Sequence, residues 1–322
     1  VLLAAVLLVI SKYHLIQQWV FGTVFSPEMS KTLIVVFSGL FCAFIQLFCL
    51  TAILDMLLVA AWMVQRGCTM KRQHHTWARY TIGIAVLLLC AIGVQQAMKV
   101  PNVRCIELTL HDLPQGMDGF RLVQMTDLHI SRFLNGPWVR QVVARTNALN
   151  PDLIVITGDL IDGTPKARRD DVDPLRDLRA KHGVVTILGY HEYYFDASQW
   201  TTMFEQLGMV ALANARLRIA TDVAELVVAG VNDTAALAHG LPGPDAARAL
   251  SGVSHESLTV LLTHRPVDTA AHTQAGVDLQ LAGHTHGGMI PGFDALVICT
   301  CMSAMARESG MASLFDWADP PR

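Results

Sequence analysis

The sequence predicts an α/β domain of two packed sheets flanked by helices, preceded by an all-α membrane region, and three observations predict it. Residues 1–98 are overwhelmingly apolar, while nearly all the carboxylates lie beyond residue 100. From residue 120 onward, short apolar runs that read as buried strands alternate with helical segments, the pattern of a sheet covered by helices. Five of these runs end in Asp or His, at strand tips where loops escape the packing demands of the core and carry function.

A hydrocarbon core takes roughly 20 apolar residues of helix. Residues 80–97 fit one crossing, 32–64 fit a long or tilted one, and 1–24 hold a third apolar stretch broken by Lys12 and His14. Three such stretches exceed what a signal peptide supplies. The chain opens on Val1 without Met or a basic leader, so the first span is read as truncated. Arg66, Lys71, Arg72 and Arg79 fill the loop between the second and third stretches, whereas residues 26–31 are nearly uncharged. By the positive-inside rule the basic loop is cytoplasmic, and everything beyond residue 100 is on the outer, periplasmic-type side. Asp55, inside the second stretch, is placed near an interface or against a neighbouring helix.

The net charge of −3 offers no basic field for nucleic acid. Four cysteines (Cys42, Cys49, Cys68, Cys90) fall in the apolar part, leaving Cys105, Cys299 and Cys301. Their spacing gives neither a disulfide framework nor a structural zinc site.

Residues 99–119 form a linker that includes a first strand at 106–110. Strand 122–125 leads into Asp127-Leu128-His129. A helix follows, capped by Asn135 with Pro137 at its start, and Val139, Val142, Val143, Thr146 and Leu149 share one face. Pro151 stops it before strand 153–156, which ends in Gly158-Asp159. A helix over about 173–181 ends at Gly183 and precedes strand 184–188, which carries Gly189-Tyr190-His191-Glu192. A helix to Leu207, strands near 217–219 and 226–230, and a helix near 245–250 come next. Strands 260–262 and 279–281 then end in Thr263-His264 and Gly283-His284-Thr285-His286. There is no internal repeat.

Oxygen and imidazole ligands gathered at strand tips suit a divalent transition metal doing hydrolysis. Asp127 and His129 are two apart, so an extended strand end puts them on one side, and His284 and His286 repeat that spacing. Asp159 follows a glycine that permits a tight turn, so its carboxylate could bridge two ions; His264 adds an imidazole. His191, beside the cluster, could be the general acid for a leaving oxygen. Two ions about 4 Å apart can share a water, lower its pKa and hold a phosphoryl group for in-line attack. Each element alone is common by chance; their ordered recurrence after apolar runs is the signal. No Gly-x-Ser-x-Gly elbow, Walker loop or dinucleotide fingerprint competes with it.

Residues 120–293 resemble the calcineurin-like metallophosphoesterase superfamily, and above all its membrane-anchored bacterial branch. The matching text is Met125-Thr126-Asp127-Leu128-His129, Thr157-Gly158-Asp159-Leu160, Leu188-Gly189-Tyr190-His191-Glu192, Thr263-His264-Arg265-Pro266 and Gly283-His284-Thr285-His286-Gly287-Gly288. The resemblance implies a four-layer αββα sandwich over residues 120–297 and a bacterial inner-membrane location. It also implies two divalent ions, for which Mn, Fe, Zn and Co all suit the ligands. By that analogy Asp127, His129, Asp159 and His286 hold one ion, Asp159, His264 and His284 hold the other, and His191 is the transition-state acid. The implied activity is hydrolysis of a phosphomonoester or phosphodiester, on a phosphorylated small molecule or a lipid, by a metal-activated hydroxide.

Two departures qualify the resemblance. The family has Asn where this chain has Tyr190, and a neutral phenol with a pKa of about 10 is a poor ligand, so weaker second-metal binding and lower turnover are expected. Residues 298–322 lack the family's closing strand and Gly-rich loop, whereas a shifted frame of permitted codons spells such an ending, so this tail is read as frameshifted. The alternative reading is a catalytically silent membrane protein that keeps the fold and part of the metal binding.

Overall fold

The computed structural model describes residues 6, 9–64, 72–110, 113–221, 225–254, 257–286 and 312–314. The chain divides into two compact units, Val1–Val100 and Pro101–Arg322.

In the first unit, a nine-residue helix α1 (Tyr13–Phe21) is followed by α2 (Lys31–Val64) and α3 (Arg72–Ala97). Helix α2 has 34 residues, which at 1.5 Å per residue is about 50 Å of helix. It and residues 76–97 of α3 are long and apolar enough to cross a membrane, and large apolar side chains such as Phe48, Leu57 and Leu87 stand exposed along them. The two helices share polar contacts. Arg79 Nη2 lies 2.8 Å from Asp55 Oδ1, and Gln46 Nε2 reaches Cys90 Sγ at 3.6 Å. Asp55 thus sits against a neighbouring helix. The first apolar stretch is described only in part, and the basic loop at 65–71 lies outside the described residues.

The second unit is built on two sheets. The first is parallel, in the order β1 (Leu122–Met125), β2 (Leu153–Ile156), β3 (Val184–Thr186), β4 (Val210–Ala211). The second runs β5 (Ala215–Ala220), β6 (Glu225–Gly230), β7 (Leu258–Leu262), β8 (Leu279–Leu281), β9 (Ala312–Leu314), with β5 antiparallel to β6 and the rest parallel. Period-two alternation divides each strand between two faces. Leu153, Val155, Val185 and Ile187 of the first sheet pack against Leu226, Val228, Val260, Leu262, Leu279 and Leu281 of the second. Ile154 and Ile156 alternate to the other face and are equally buried, as strands covered on both sides require. On the outer face of the second sheet, Ala229 and Leu261 meet Ala249 of helix α8 (Ala246–Leu250).

The other α-helices among the described residues of this unit are α4 (Gly136–Ala148), α5 (Pro165–Val172), α6 (Tyr190–Tyr194), α7 (Ala197–Gln206) and α9 (Thr269–Gln274). α4 buries Val139, Val142, Val143 and Thr146 on its expected face, though Asn135 makes no side-chain cap hydrogen bond. Two elements differ from the sequence reading. The helix expected over 173–181 begins earlier, as α5, where Thr164 accepts from Ala167 N and Pro165 starts the first turn; a 3-10 turn, Asp173–Asp177, follows it. Residues 106–110 pair with no described strand, although Leu108 packs on the core. Alternation alone does not make a strand without a ladder partner. The tail read as frameshifted lies outside the described residues except for Ala312–Leu314, and Gly287, Gly288, Cys299 and Cys301 lie outside them altogether.

The register fixes the site. Met125 pairs with Ile156 and Ile156 with Thr186, so three carboxyl ends of the first sheet stop at one level. Gly230, Leu262 and Leu281 do the same in the second. The loops that follow all these ends meet along one edge of the sandwich.

Candidate metal centre

The loops after β1 and β2 are laced together by backbone hydrogen bonds: Asp127 N to Gly158 O, His129 N to Asp159 O and Ile130 N to Leu160 O. Gln124 ties this lattice to the second sheet, donating from Nε2 to Thr157 Oγ1 and to Ala282 O, both at 2.9 Å. The amide of His284 donates to the Asp127 carboxylate at 3.0 Å, closing the edge from the other side.

Within this frame the structure brings together Asp127, His129, Asp159, His191, His264, His284 and His286. Among the described residues, three trios each have donor atoms within 4.8 Å of one another: Asp127, His129 and His286; His129, Asp159 and His191; Asp159, His264 and His284. Asp159 and His129 each belong to two trios, so the groups form one continuous cluster. Tyr190 borders it, its ring edge-on to that of His191 with centroids 5.4 Å apart.

The backbone around these residues is unusual. Asp127, His129, Asp159, His284 and His286 all have positive φ, between 45° and 70°, the left-handed region that non-glycine residues enter at a cost and that clusters at functional sites. Close approach also demands glycine. A Cβ on Gly158, whose φ is +94°, would stand 2.6 Å from Gly189 Cα and 2.8 Å from His264 Nδ1. One on Gly283 would collide with Thr126 Oγ1 and Asp127 Oδ2.

Hydrogen bonds fix the imidazole tautomers. His264 Nδ1 lies 2.9 Å from the Thr157 carbonyl, which can only accept, so Nδ1 carries the hydrogen and Nε2 faces inward. That Nε2 stands 3.2 Å from Asp159 Oδ2 and 3.1 Å from His284 Nδ1. A lone pair aimed at a carboxylate needs a cation between them. Without a metal a proton serves: burial works against it, but the hydrogen bond and charge of Asp159 push His264 up to about 9. Burial likewise opposes ionisation of Asp159, yet His264 and His191 hold it below its ordinary value. Burial and the His264 charge depress His284, and burial is the main cause depressing His286. The donor set therefore fits divalent cations: the Asp159 carboxylate is biased to ionise, and the His284 and His286 imidazoles are biased to stay neutral.

Two carboxylates that the sequence reading gave no role organise the cluster. Asp162 Oδ1 accepts from His129 Nδ1 at 3.0 Å and from His191 Nδ1 as well, directing both Nε2 atoms toward the centre. Burial opposes its ionisation, and these two imidazoles outweigh that. Glu192 is fully buried and accepts four backbone N–H groups: Asp159 and Gly189 on Oε2, Leu160 and Ile161 on Oε1. Burial and the Asp159 charge push its pKa up; the four amides, which occupy both oxygens, favour the anion. Asp162 offered one signal, its place three residues after Asp159. Glu192 offered only its adjacency to His191.

Residues 120–288 match the model of the calcineurin-like phosphoesterases. Over 217 residues the chain is 32% identical to an uncharacterised metallophosphoesterase of Campylobacter jejuni, covering 67% of this chain and 56% of that protein. Over 214 residues it is 34% identical to a transmembrane protein with metallophosphoesterase domain of Bos taurus, covering 63% and 48%. It is 32% identical over 194 residues to the Bacillus subtilis metallophosphoesterase YkuE, covering 58% and 66%. The chain thus spans about half the length of the first two of these relatives. With the family match extending over just more than half of its residues, and with the Asp and His cluster inside that match, the chain belongs to the calcineurin-like phosphoesterase family.

Proposed function

We propose that the chain is a membrane-anchored, metal-dependent phosphoesterase that hydrolyses a phosphomonoester or phosphodiester close to a bilayer. The observation that carries this reading is the Asp159 carboxylate, which lies in one trio with His264 and His284 and in another with His129 and His191. Asp127, His129, Asp159 and His286 would hold one ion, and Asp159, His264 and His284 the second. Divalent ions so placed would neutralise phosphoryl oxygens and lower the pKa of an attacking water.

The chain's own residues do the rest. His191, its Nδ1 hydrogen engaged by Asp162, presents Nε2 to protonate the leaving oxygen. Its backbone amide, donating to Asp159 Oδ1 at 2.8 Å, holds the carboxylate in place. Glu192 fixes the loops of Asp159 and His191 to each other, so acid and ligand keep their separation. Anchoring is supported by the two long apolar helices and by the transmembrane name of the bovine relative. The basic loop supports an outer, periplasmic-type location for the catalytic unit, and tethering favours a phospholipid headgroup or a phosphorylated molecule held near the surface.

The test is turnover of an aryl phosphodiester by the full chain in detergent with added manganese. Activity that disappears in Asp159→Ala supports the enzyme. A second reading, a silent relative that binds metal, is favoured by Tyr190 at the family's Asn position. Metal binding with no turnover even in Tyr190→Asn would establish it instead.

A further inference from the structure

We propose that Arg265 is the phosphoryl anchor of this site, its guanidinium edge binding the non-bridging oxygens of a substrate phosphate beside His264 and His284. The assignment rests on the phosphoesterase reading for its substrate class, and on geometry for its position. Arg265 follows His264 directly, at the bend after β7. Its Nε donates to Asp233 Oδ2 at 2.8 Å. Asp233 is itself held firmly: its Oδ1 accepts from Ala235 N at 2.8 Å, capping the 3-10 turn Thr234–His239. The backbone of Asp233 also engages the Tyr193 hydroxyl of α6.

The asymmetry of the pair is informative. The Asp233 side chain is 1% exposed and that of Arg265 is 31% exposed. Here only Nε is committed, and among the described residues Nη1 and Nη2 make no hydrogen bond. A planar fork with a pinned stem and an open edge is preorganised for bidentate contact with phosphate oxygens. Both partners lie close enough to the second trio to act on His284, Arg265 depressing it and Asp233 opposing that. Pro266 next in sequence limits the backbone freedom of Arg265.

The experiment is calorimetric binding of inorganic phosphate to the manganese-loaded full chain in detergent, comparing wild type, R265Q and R265K, with metal content measured for each. R265Q is expected to weaken phosphate binding roughly ten- to a hundredfold, the scale of a hydrogen bond to a charged group, with metal content unchanged. R265K, which keeps the charge and can still pair with Asp233, is expected to recover part of that loss. The dependence of binding on salt should be shallower in R265Q than in wild type. Unchanged affinity in R265Q, or loss of metal together with phosphate, overturns the assignment, as does a wild type that binds no phosphate. If wild type binds phosphate, R265Q does not, and neither turns over a phosphoester, the anchor stands and the enzymatic reading fails.

Discussion

His264 Nε2 faces Asp159 Oδ2 at 3.2 Å while its other ring nitrogen is committed to a carbonyl, so the space between the two residues is shaped for a cation. In the metal-free protein that cation is a proton, with His264 raised to about 9. Metal uptake at neutral pH must therefore expel it. Calorimetric titration with manganese near pH 7.5, in buffers of differing ionisation enthalpy, should show close to one proton released, and metal affinity should rise with pH until about 9.

The same pair contributes to how the metal-free fold responds to pH. His264 lies above its ordinary 6.5, so its contribution is complete below 6.5 and lost as pH rises through about 9. Asp159 lies below its ordinary 3.8, so its contribution is complete above 3.8 and lost as pH falls through the depressed value. From this pair, urea unfolding without metal should show greatest resistance between about pH 4 and 6.5. Asp159→Asn should flatten both flanks.

Asp162 holds two imidazoles with one oxygen. Asp162→Asn removes the charge that stabilises both Nδ1 hydrogens. Turnover or metal affinity is expected to fall about 10–100-fold, the usual effect of losing a group that orients a ligand. Activity and metal stoichiometry measured side by side check this, and full retention of both would deny Asp162 that role.

Glu192→Gln leaves one oxygen to accept where four amides now converge on two. The cost is expected to be about 3 kcal/mol of stability, the scale of a broken buried charged hydrogen bond. Chemical denaturation of the metal-loaded protein gives the value, and a loss below about 0.5 kcal/mol, within the range of an ordinary surface change, would mean that the loops are fixed by other contacts.

Tyr190→Asn restores the residue type found at this position in the resembled family. Turnover is expected to rise at least about tenfold, equivalent to one contact of ~1.4 kcal/mol, with tighter binding of the second metal. Steady-state kinetics against manganese concentration would reveal it; a slower variant would show that Tyr190 serves the site as it is.

The cluster was legible because each of its residues follows an apolar run, and parallel strands in register bring such endings to one edge. What organises the cluster was not legible. Gln124 reaches Ala282 across 158 positions of sequence, and no local pattern marks it. Glu192 works through backbone amides, which carry no side-chain signature. Helix α5 departs from the sequence expectation for another reason: its buried face includes Arg168, paired with Asp171 at 2.9 Å, so apolar periodicity is weak where the Thr164-Pro165 start signal is present.

The left-handed backbone at Asp127, His129, Asp159, His284 and His286 narrows the alphabet from which this site can be written. Asp, Asn and His enter that conformation several times more readily than other side chains, while Glu and Cys, sound ligands on coordination grounds, gain no such tolerance. Drift and design are therefore filtered twice at these positions, first by the ion and then by the peptide, and a swap acceptable to the metal can still be refused by the chain.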